Sequence, residues 1–150
     1  MPSDLTVFVD TNVLLYAQDP RDSEKQNHAK AWLSWCWQTQ SGRISSQVLH
    51  ELYANLRKVA PTLSAHDARA FVRRYRRWKP WSVEDDTVDR AWELQDDTGY
   101  SYWDCLMLAA GLAQGCRYLI TEDLKHEREI DNMTIINPFL VLPTSLGLGA

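Results

Sequence analysis

The feature that most constrains the fold of this 150-residue chain is the alternation of short apolar runs with longer amphipathic segments. The runs short enough to be buried strands are residues 7–10, 43–46, 79–83, 117–121 and 133–136. Apolar residues recur at helical spacing in the segments between them, residues 11–18, 23–40, 47–59, 64–78, 84–97 and 101–114. Strands that alternate with helices form a mostly parallel sheet covered on both faces. We therefore predict an α/β fold with a central sheet of four to five short strands.

The sequence contains neither an internal repeat nor a linker, which favours one domain over residues 1–150. Its core is expected over about residues 5–140, followed by an uncharged apolar tail at 141–150. The start of the chain lacks the features of a signal peptide, and no apolar run is long enough to span a membrane. Together with three unpatterned cysteines, these features favour a cytoplasmic protein without membrane contact.

The net charge of −4 limits how this chain could bind nucleic acid. Nonspecific binding to nucleic acid is mostly neutralisation of phosphates by Lys and Arg. A protein with this charge therefore needs a local basic patch or a bound metal ion for that purpose.

Four acids are candidates for a shared site. Asp10 and Asp123 follow two of the predicted strands, and the carboxyl ends of parallel strands open into one crevice. Asp104 lies in the first turn of the apolar segment 101–114, and Glu51 lies at the edge of the apolar stripe of its helix. We predict that the four carboxylates converge.

Each of these acids also has a simpler interpretation. Asp10 could cap the following helix, and Ser101-x-x-Asp104 resembles a capping box. Asp123 could cap a turn, and Glu51 could be a solvated helix residue. Four carboxylates gathered without cations would repel one another, however, and a divalent ion would relieve that repulsion.

The ligand types indicate which ion this would be. Oxygen ligands without a nearby histidine or thiolate favour Mg²⁺ or Mn²⁺ over zinc. One or two such ions are suited to the hydrolysis of a phosphodiester by a metal-activated water.

Four motifs occur in order along the chain. They are FVDTN at residues 8–12, S-x-x-x-x-E at 46–51, YWDCL-x-x-AA at 102–110 and LITEDL at 119–124. In this order and spacing they resemble the PIN-domain ribonucleases, and the match is closest to the VapC toxins of bacterial toxin–antitoxin pairs. The resemblance spans about residues 5–140.

The resemblance implies an acidic pocket that binds Mg²⁺ or Mn²⁺ and cleaves single-stranded regions of RNA. By position, the catalytic and metal-binding acids of the family fall on Asp10, Glu51, Asp104 and Asp123. Supporting roles, orienting carboxylates or waters, fall on Thr11, Asn12 and Thr121. Glu122 is an alternative to Asp123 because either could face the metal, although the Thr-x-Asp spacing favours Asp123.

The resemblance also implies a partner. Toxins of this kind are inhibited by a cognate antitoxin protein that lays a segment across the active-site groove. A homodimer is expected as well.

A basic strip is the candidate RNA-binding surface. Four arginines share one face of the predicted helix 64–78, opposite its apolar face: Arg69, Arg73, Arg76 and Arg77. A cationic strip beside an acidic metal pocket suits the tracking of an RNA backbone. Whether the strip can contact RNA at the site depends on its position relative to the crevice.

Other functions are compatible with the same residues. An RNA-processing nuclease of the PIN type, outside any toxin–antitoxin pair, would share every catalytic residue. A catalytically silent RNA- or protein-binding module would be expected to have lost one or more of the four acids, and all four are present. A phosphatase of the haloacid-dehalogenase type is disfavoured because Asn12 stands where that family needs a second aspartate.

Overall fold

The structure, a computed structural model, describes residues 5–148, so residues 1–4 and the predicted tail residues 149–150 lie outside the described part. Five strands form one sheet: β1 (Val7–Val9), β2 (Gly42–Arg43), β3 (Tyr118–Ile120), β4 (Glu129–Ile130) and β5 (Met133–Ile136). Their order across the sheet is β2-β1-β3-β5-β4, and all neighbours are parallel except β4 and β5. The predicted α/β fold with a mostly parallel sheet is confirmed.

Six α-helices connect and cover the strands: α1 (Thr11–Tyr16), α2 (Ser23–Thr39), α3 (Ser46–Val59), α4 (Ala65–Arg74), α5 (Asp85–Thr98) and α6 (Tyr102–Ala113). Four of them have an N-cap residue whose side chain accepts a hydrogen bond from a backbone N–H of the first turn: Asp22, Ser45, Ser64 and Ser101. No helix within residues 5–148 is both long enough and apolar enough to cross a membrane.

The central strands are covered on both faces. All three residues of β1 are buried, although successive side chains of a strand point to opposite sides of the sheet. Leu119 and Ile120 of β3 and Ile135 and Ile136 of β5 are buried in the same way. This burial explains why the strands consist of continuous apolar residues instead of alternating ones.

The chain changes direction across the sheet at β1. From β1 it passes to β2 on one side, and it later returns to β3 on the other side. This reversal creates a crevice at the carboxyl ends of β1 and β3, the place where open α/β sheets bind their ligands. Asp10 directly follows β1 and Thr121 directly follows β3, so both residues lie at this crevice.

Two predictions about strands were wrong. Residues 79–83 form only an isolated bridge between Trp81 and Ser45, because Pro80 has no N–H and Lys79 has a positive φ of 50°. The other concerns β4, which the sequence did not predict and which forms a hairpin with β5. The turn residues Asp131 and Asn132 both have positive φ, as a two-residue hairpin turn requires.

The predicted helix 64–78 is also shorter than expected. The α-helix ends at Arg74, and Tyr75–Trp78 continues as a 3-10 helix. The buried rings of Tyr75 and Trp78 both pack on Trp37, with ring centroids 5.3 and 5.2 Å away. Because the helical pitch changes at this point, the four arginines do not continue along a single α-helical face.

The predicted tail is part of the fold as far as it is described. Trp32 Nε1 of α2 donates a hydrogen bond of 3.0 Å to the carbonyl oxygen of Val141. A 3-10 turn at Pro143–Leu146 follows, with Pro143 buried. The three cysteines are free and buried, as their apolar sequence neighbours predict.

Gly42 in β2 tests how tightly this part of the fold is packed. A Cβ atom on Gly42 would lie 2.6 Å from the ring of Trp78, which is too close for carbon atoms. We expect Gly42→Ala to lower the free energy of unfolding by about 1 to 3 kcal/mol, measured by urea denaturation. In the double variant with Trp78→Leu, part of that loss should be recovered, because the smaller side chain makes room for the Cβ atom. If the free energy of unfolding of the double variant equals the sum of the two single effects, the contact is contradicted.

Candidate active site

The four predicted acids line one open cavity at the carboxyl edge of the sheet. The cavity has a volume of about 310 Å³, and Asp10, Glu51, Asp104 and Asp123 are among its lining residues. The junction between β1 and α1, helix α3, helix α6 and the loop after β3 each contribute one acid. Residues far apart in sequence therefore share one cavity.

Asp10 lies deepest, with only 3% of its surface exposed. It occupies the N-cap position of α1, but its side chain makes no capping hydrogen bond. Its Oδ2 atom instead accepts a hydrogen bond of 2.8 Å from the hydroxyl of Thr121, across the gap between β1 and β3. Capping of α1 therefore does not account for the position of this carboxylate, whose 2.8 Å hydrogen bond joins two strand ends.

The electrostatics of the cavity are those of crowded carboxylates. Burial raises the pKa of Asp10 from 3.8 to about 7, and the charges of Asp123 and Asp104 add to this increase against the hydrogen bond from Thr121. Burial, together with the charge of Asp123, also raises the pKa of Asp104. Within residues 5–148, no Lys, Arg or His side chain forms an ion pair with any of the four acids.

Neutral side chains hold the acids in place. Asn12 Nδ2 donates to Asp123 Oδ2 at 3.2 Å, and Thr11 Oγ1 donates to Glu51 Oε1 at 3.0 Å. Thr121 Oγ1 also accepts a hydrogen bond of 3.2 Å from the backbone N–H of Asp123. The three residues predicted to support the acids are thus in direct contact with them.

Asp104 takes part in a cap and also faces the cavity. The hydroxyl of Ser101 accepts a hydrogen bond from the backbone N–H of Asp104 and donates one of 2.9 Å to its Oδ2 atom. Ser101 therefore begins α6 and orients the carboxylate at the same time.

Glu122 and Asp123 point to different surroundings. Glu122 Oε2 forms an ion pair of 2.7 Å with Lys25 Nζ of α2, and Glu122 is not among the residues that line the cavity. The Lys25 ammonium also lies over the rings of Tyr16 and Phe139, at 4.8 and 5.3 Å from their centroids. Lys25 was not identified from the sequence, because nothing in the sequence links two residues 97 positions apart.

Helix α3 presents two different faces. Val48, Leu52 and Leu56 are buried in the core. Beside this buried stripe, five other residues of α3 line the cavity: Gln47, Glu51, Asn55, Lys58 and Val59. The spacing of these lining residues is visible in the sequence, where it was interpreted only as the edge of an amphipathic helix.

The arginine strip does not line the acidic cavity. Arg77 lines a separate cavity together with Gly42, which pairs with Val7 at the amino end of β1. That position lies at the sheet edge opposite the acids. Arg69 Nε donates to the hydroxyl of Tyr53 on the exposed side of α3. Within residues 5–148, Lys58 is the cationic residue that lines the acidic cavity.

The four acids do not form a preassembled metal centre. Within residues 5–148, no group of three or more histidine, cysteine, aspartate or glutamate side chains is arranged to hold a metal ion. Carboxylates without a cation repel one another, and each is held by a hydroxyl or amide group instead. The donor set consists entirely of oxygen atoms, which suits a hard divalent cation.

The fold and the cavity define an α/β domain with an acidic pocket at the point where its strand order reverses. The chain belongs to the PIN domain family, whose family model matches residues 7–129. This confirms the family suggested by the four sequence motifs. A search of curated proteins finds no match.

Solved structures with this fold include proteins of toxin–antitoxin systems. A toxin–antitoxin complex from Klebsiella pneumoniae is similar with a TM-score of 0.65 and 18% identity, over 89% of this chain and 98% of that one. VapC20 of Mycobacterium tuberculosis, a toxin that cleaves the sarcin–ricin loop, has a TM-score of 0.56 and 22% identity, over 76% and 87%. VapBC2 from Rickettsia felis, bound to a promoter DNA fragment, has a TM-score of 0.55 and 18% identity, over 87% and 97%.

The burial of Asp10 predicts an unusual dependence of stability on pH. Because its pKa is about 7 in the folded protein and lower in the unfolded chain, the folded state holds the proton more tightly. Proton binding by Asp10 therefore stabilises the folded protein at low pH, and this contribution is lost as the pH rises from about 4 to about 7. We expect metal-free Asp10→Asn to be more stable than the unsubstituted protein by about 2 to 4 kcal/mol at pH 8.

The control for this measurement is the same pair of proteins at pH 4. There the aspartate is largely protonated in the folded state, so the difference in unfolding free energy should be much smaller. Urea denaturation in EDTA at both pH values measures it. A difference that does not change with pH would show that the pKa of Asp10 is the same in the folded protein as in the unfolded chain.

Proposed function

We propose that this protein is a metal-dependent endoribonuclease that acts as the toxin of a toxin–antitoxin pair. The observation that carries this proposal is the convergence of four carboxylates, without a cationic partner, in one cavity of a PIN domain. Similarity of fold to a sarcin–ricin-loop-cleaving toxin supports RNA as the substrate class.

The residues present fit a divalent cation. Asp10, Asp104 and Asp123, with Glu51 directly or through water, would hold Mg²⁺ or Mn²⁺ as one or two ions. The raised pKa values of Asp10 and Asp104 show carboxylates that would gain stability from a nearby positive charge. A bound ion would polarise the phosphate and lower the pKa of a water molecule, so that the water can attack at neutral pH.

The chain itself supplies position and orientation. Thr121 fixes the orientation of the Asp10 carboxylate by donating a hydrogen bond to its Oδ2 atom. Asn12, Ser101 and Thr11 orient the carboxylates of Asp123, Asp104 and Glu51 in the same manner. Neutral donors of this kind set the direction of a carboxylate without cancelling the charge that a cation needs.

The partners follow from the same proposal. A cognate antitoxin would bind over the acidic cavity, as the similarity to two toxin–antitoxin structures suggests. A homodimer and a cytoplasmic location belong to this proposal as well, and the free buried thiols fit a reducing compartment. A PIN nuclease that processes RNA outside a toxin–antitoxin pair would use the same residues.

The proposal predicts metal-dependent cleavage of RNA. We expect the protein, freed of any bound partner by denaturation and refolding, to cut RNA in Mg²⁺ or Mn²⁺ and not in EDTA. Asp10→Asn and Asp104→Asn should each lower the rate at least a hundredfold, because each removes a charged metal ligand. The matched control is Asp97→Asn, an exposed acid of α5 outside the cavity, which should keep full activity. Cleavage that persists in EDTA or in both cavity variants would refute the proposed site.

A second pair of variants distinguishes the neighbouring acids after β3. We expect Asp123→Asn to lose most activity, since its carboxylate lines the cavity. Glu122→Gln should keep most of it, because Glu122 faces Lys25 instead. Initial rates at saturating Mn²⁺ measure the difference. If Glu122→Gln is the more damaging change, Glu122 and not Asp123 serves as the ligand.

A further inference from the structure

The mouth of the acidic cavity carries an exposed tryptophan. Trp103, in the first turn of α6 directly before Asp104, has 62% of its surface exposed and lines the cavity. Exposing a ring of this size to water gives up the free energy that its burial would provide. The exposure of Trp103 therefore points to a ligand that covers the ring.

The backbone and the ring of Trp103 are both held. Gln47 Nε2 of α3 donates a hydrogen bond of 3.3 Å to the carbonyl oxygen of Trp103. The ring of Tyr102 meets the indole edge-to-face, with centroids 5.3 Å apart. A flat surface that is already positioned loses little conformational entropy when another ring stacks on it.

The other residues that line the cavity suit a ligand with both an apolar and a negatively charged part. Leu15, Val59 and Met107 add apolar side chains beside the acids. Lys58 adds a positively charged ammonium group, whose Nζ atom donates a hydrogen bond of 3.2 Å to Asn55 Oδ1. Seven residues separate Lys58 from Glu51 on α3, which is about 10 Å along the helix axis.

We propose that this cavity contains a nucleotide subsite in which Trp103 stacks on an unpaired nucleobase and Lys58 contacts a backbone phosphate. The inference rests on the proposed function, since it takes RNA as the ligand. The separation along α3 places the Lys58 phosphate next to the cleaved one and not at it. Stacking on an aromatic side chain is tolerant of sequence and requires a base that has left its helix.

The pairing of an exposed ring with an amine favours a nucleotide as the ligand of this subsite. A basic segment of a protein partner could pair with the four acids but would gain nothing from Lys58. A single-stranded RNA offers a phosphate to Lys58 and a base to Trp103 at the same time. Its scissile phosphate would lie at the acids, with the bound cation between the negative charges.

The test compares ordinary RNA with RNA that lacks its bases. Binding of two labelled single-stranded dodecamers, one of mixed sequence and one of abasic ribose phosphate, is measured by anisotropy in Mg²⁺. The protein carries Asp10→Asn so that it binds without cutting. We expect Trp103→Ala to raise the Kd for the mixed-sequence dodecamer about tenfold and to leave the Kd for the abasic dodecamer unchanged. Trp103→Phe should retain most of the affinity.

Lys58 and a second tryptophan provide the matched comparisons. Lys58→Met should weaken the binding of both dodecamers and reduce the slope of log Kd against log salt by about 0.7, as expected for one lost phosphate contact. Trp92 of α5 is 54% exposed but does not line the cavity, so Trp92→Ala should change neither affinity. Equal melting temperatures would show that the variants fold alike.

The outcomes separate this inference from the proposed function. If the protein carrying only Asp10→Asn binds neither dodecamer, and the unsubstituted protein in Mg²⁺ neither binds nor cuts them, RNA is not the ligand and both proposals fail. If it binds RNA and Trp103→Ala binds equally well, the subsite is refuted while the nuclease proposal stands.

Discussion

The buried carboxylate of Asp10 is the constraint on which the site depends. The strand order reverses at β1, so the residue after that strand must lie in the crevice between two connections of the chain. An aspartate there is almost completely removed from water, and this makes its charge costly. The hydrogen bond from Thr121 offsets part of that cost and joins the ends of β1 and β3. The charges of the neighbouring acids increase that cost, and within residues 5–148 no cationic side chain forms an ion pair with any of the four acids to offset it.

The way the other acids are held follows from the same uncompensated charge. Lysine or arginine partners would stabilise the carboxylates but would also compete with any cation for them. The carboxylates of the cavity accept hydrogen bonds from hydroxyl and amide groups. The ion pair of Lys25 with Glu122 lies just outside the cavity. That ion pair turns Glu122 toward α2 within the same loop in which Asp123 turns toward the cavity. Two adjacent acids therefore have different surroundings: Glu122 pairs with a lysine of α2, and Asp123 lines the cavity.

Much of this arrangement could be predicted from the sequence because it depends on regular spacing. Apolar runs followed by acids predicted β1 and β3 and the crevice at their ends, and helical periodicity predicted all six α-helices. The prediction failed where local backbone geometry decides the outcome. Lys79 and Pro80 prevent a strand in an apolar stretch, and the two positive φ angles of Asp131 and Asn132 create a hairpin. Contacts between distant residues, such as Lys25 with Glu122, leave no signal in a single sequence.

The arginines show why a surface pattern is harder to interpret than a buried one. Periodicity correctly indicated which side of α4 faces the protein, since apolar residues must be covered. It could not indicate which edge of the sheet the charged side would approach, because that depends on how the helices are arranged around the sheet. The structure places Arg77 at the amino edge of β1 and Lys58 at the carboxyl edge, beside the acids. Within residues 5–148, Lys58 is the one cationic residue that lines the acidic cavity. Under the proposed function, attraction for RNA would then come mainly from the bound cation and not from the protein surface, which agrees with the net charge of −4.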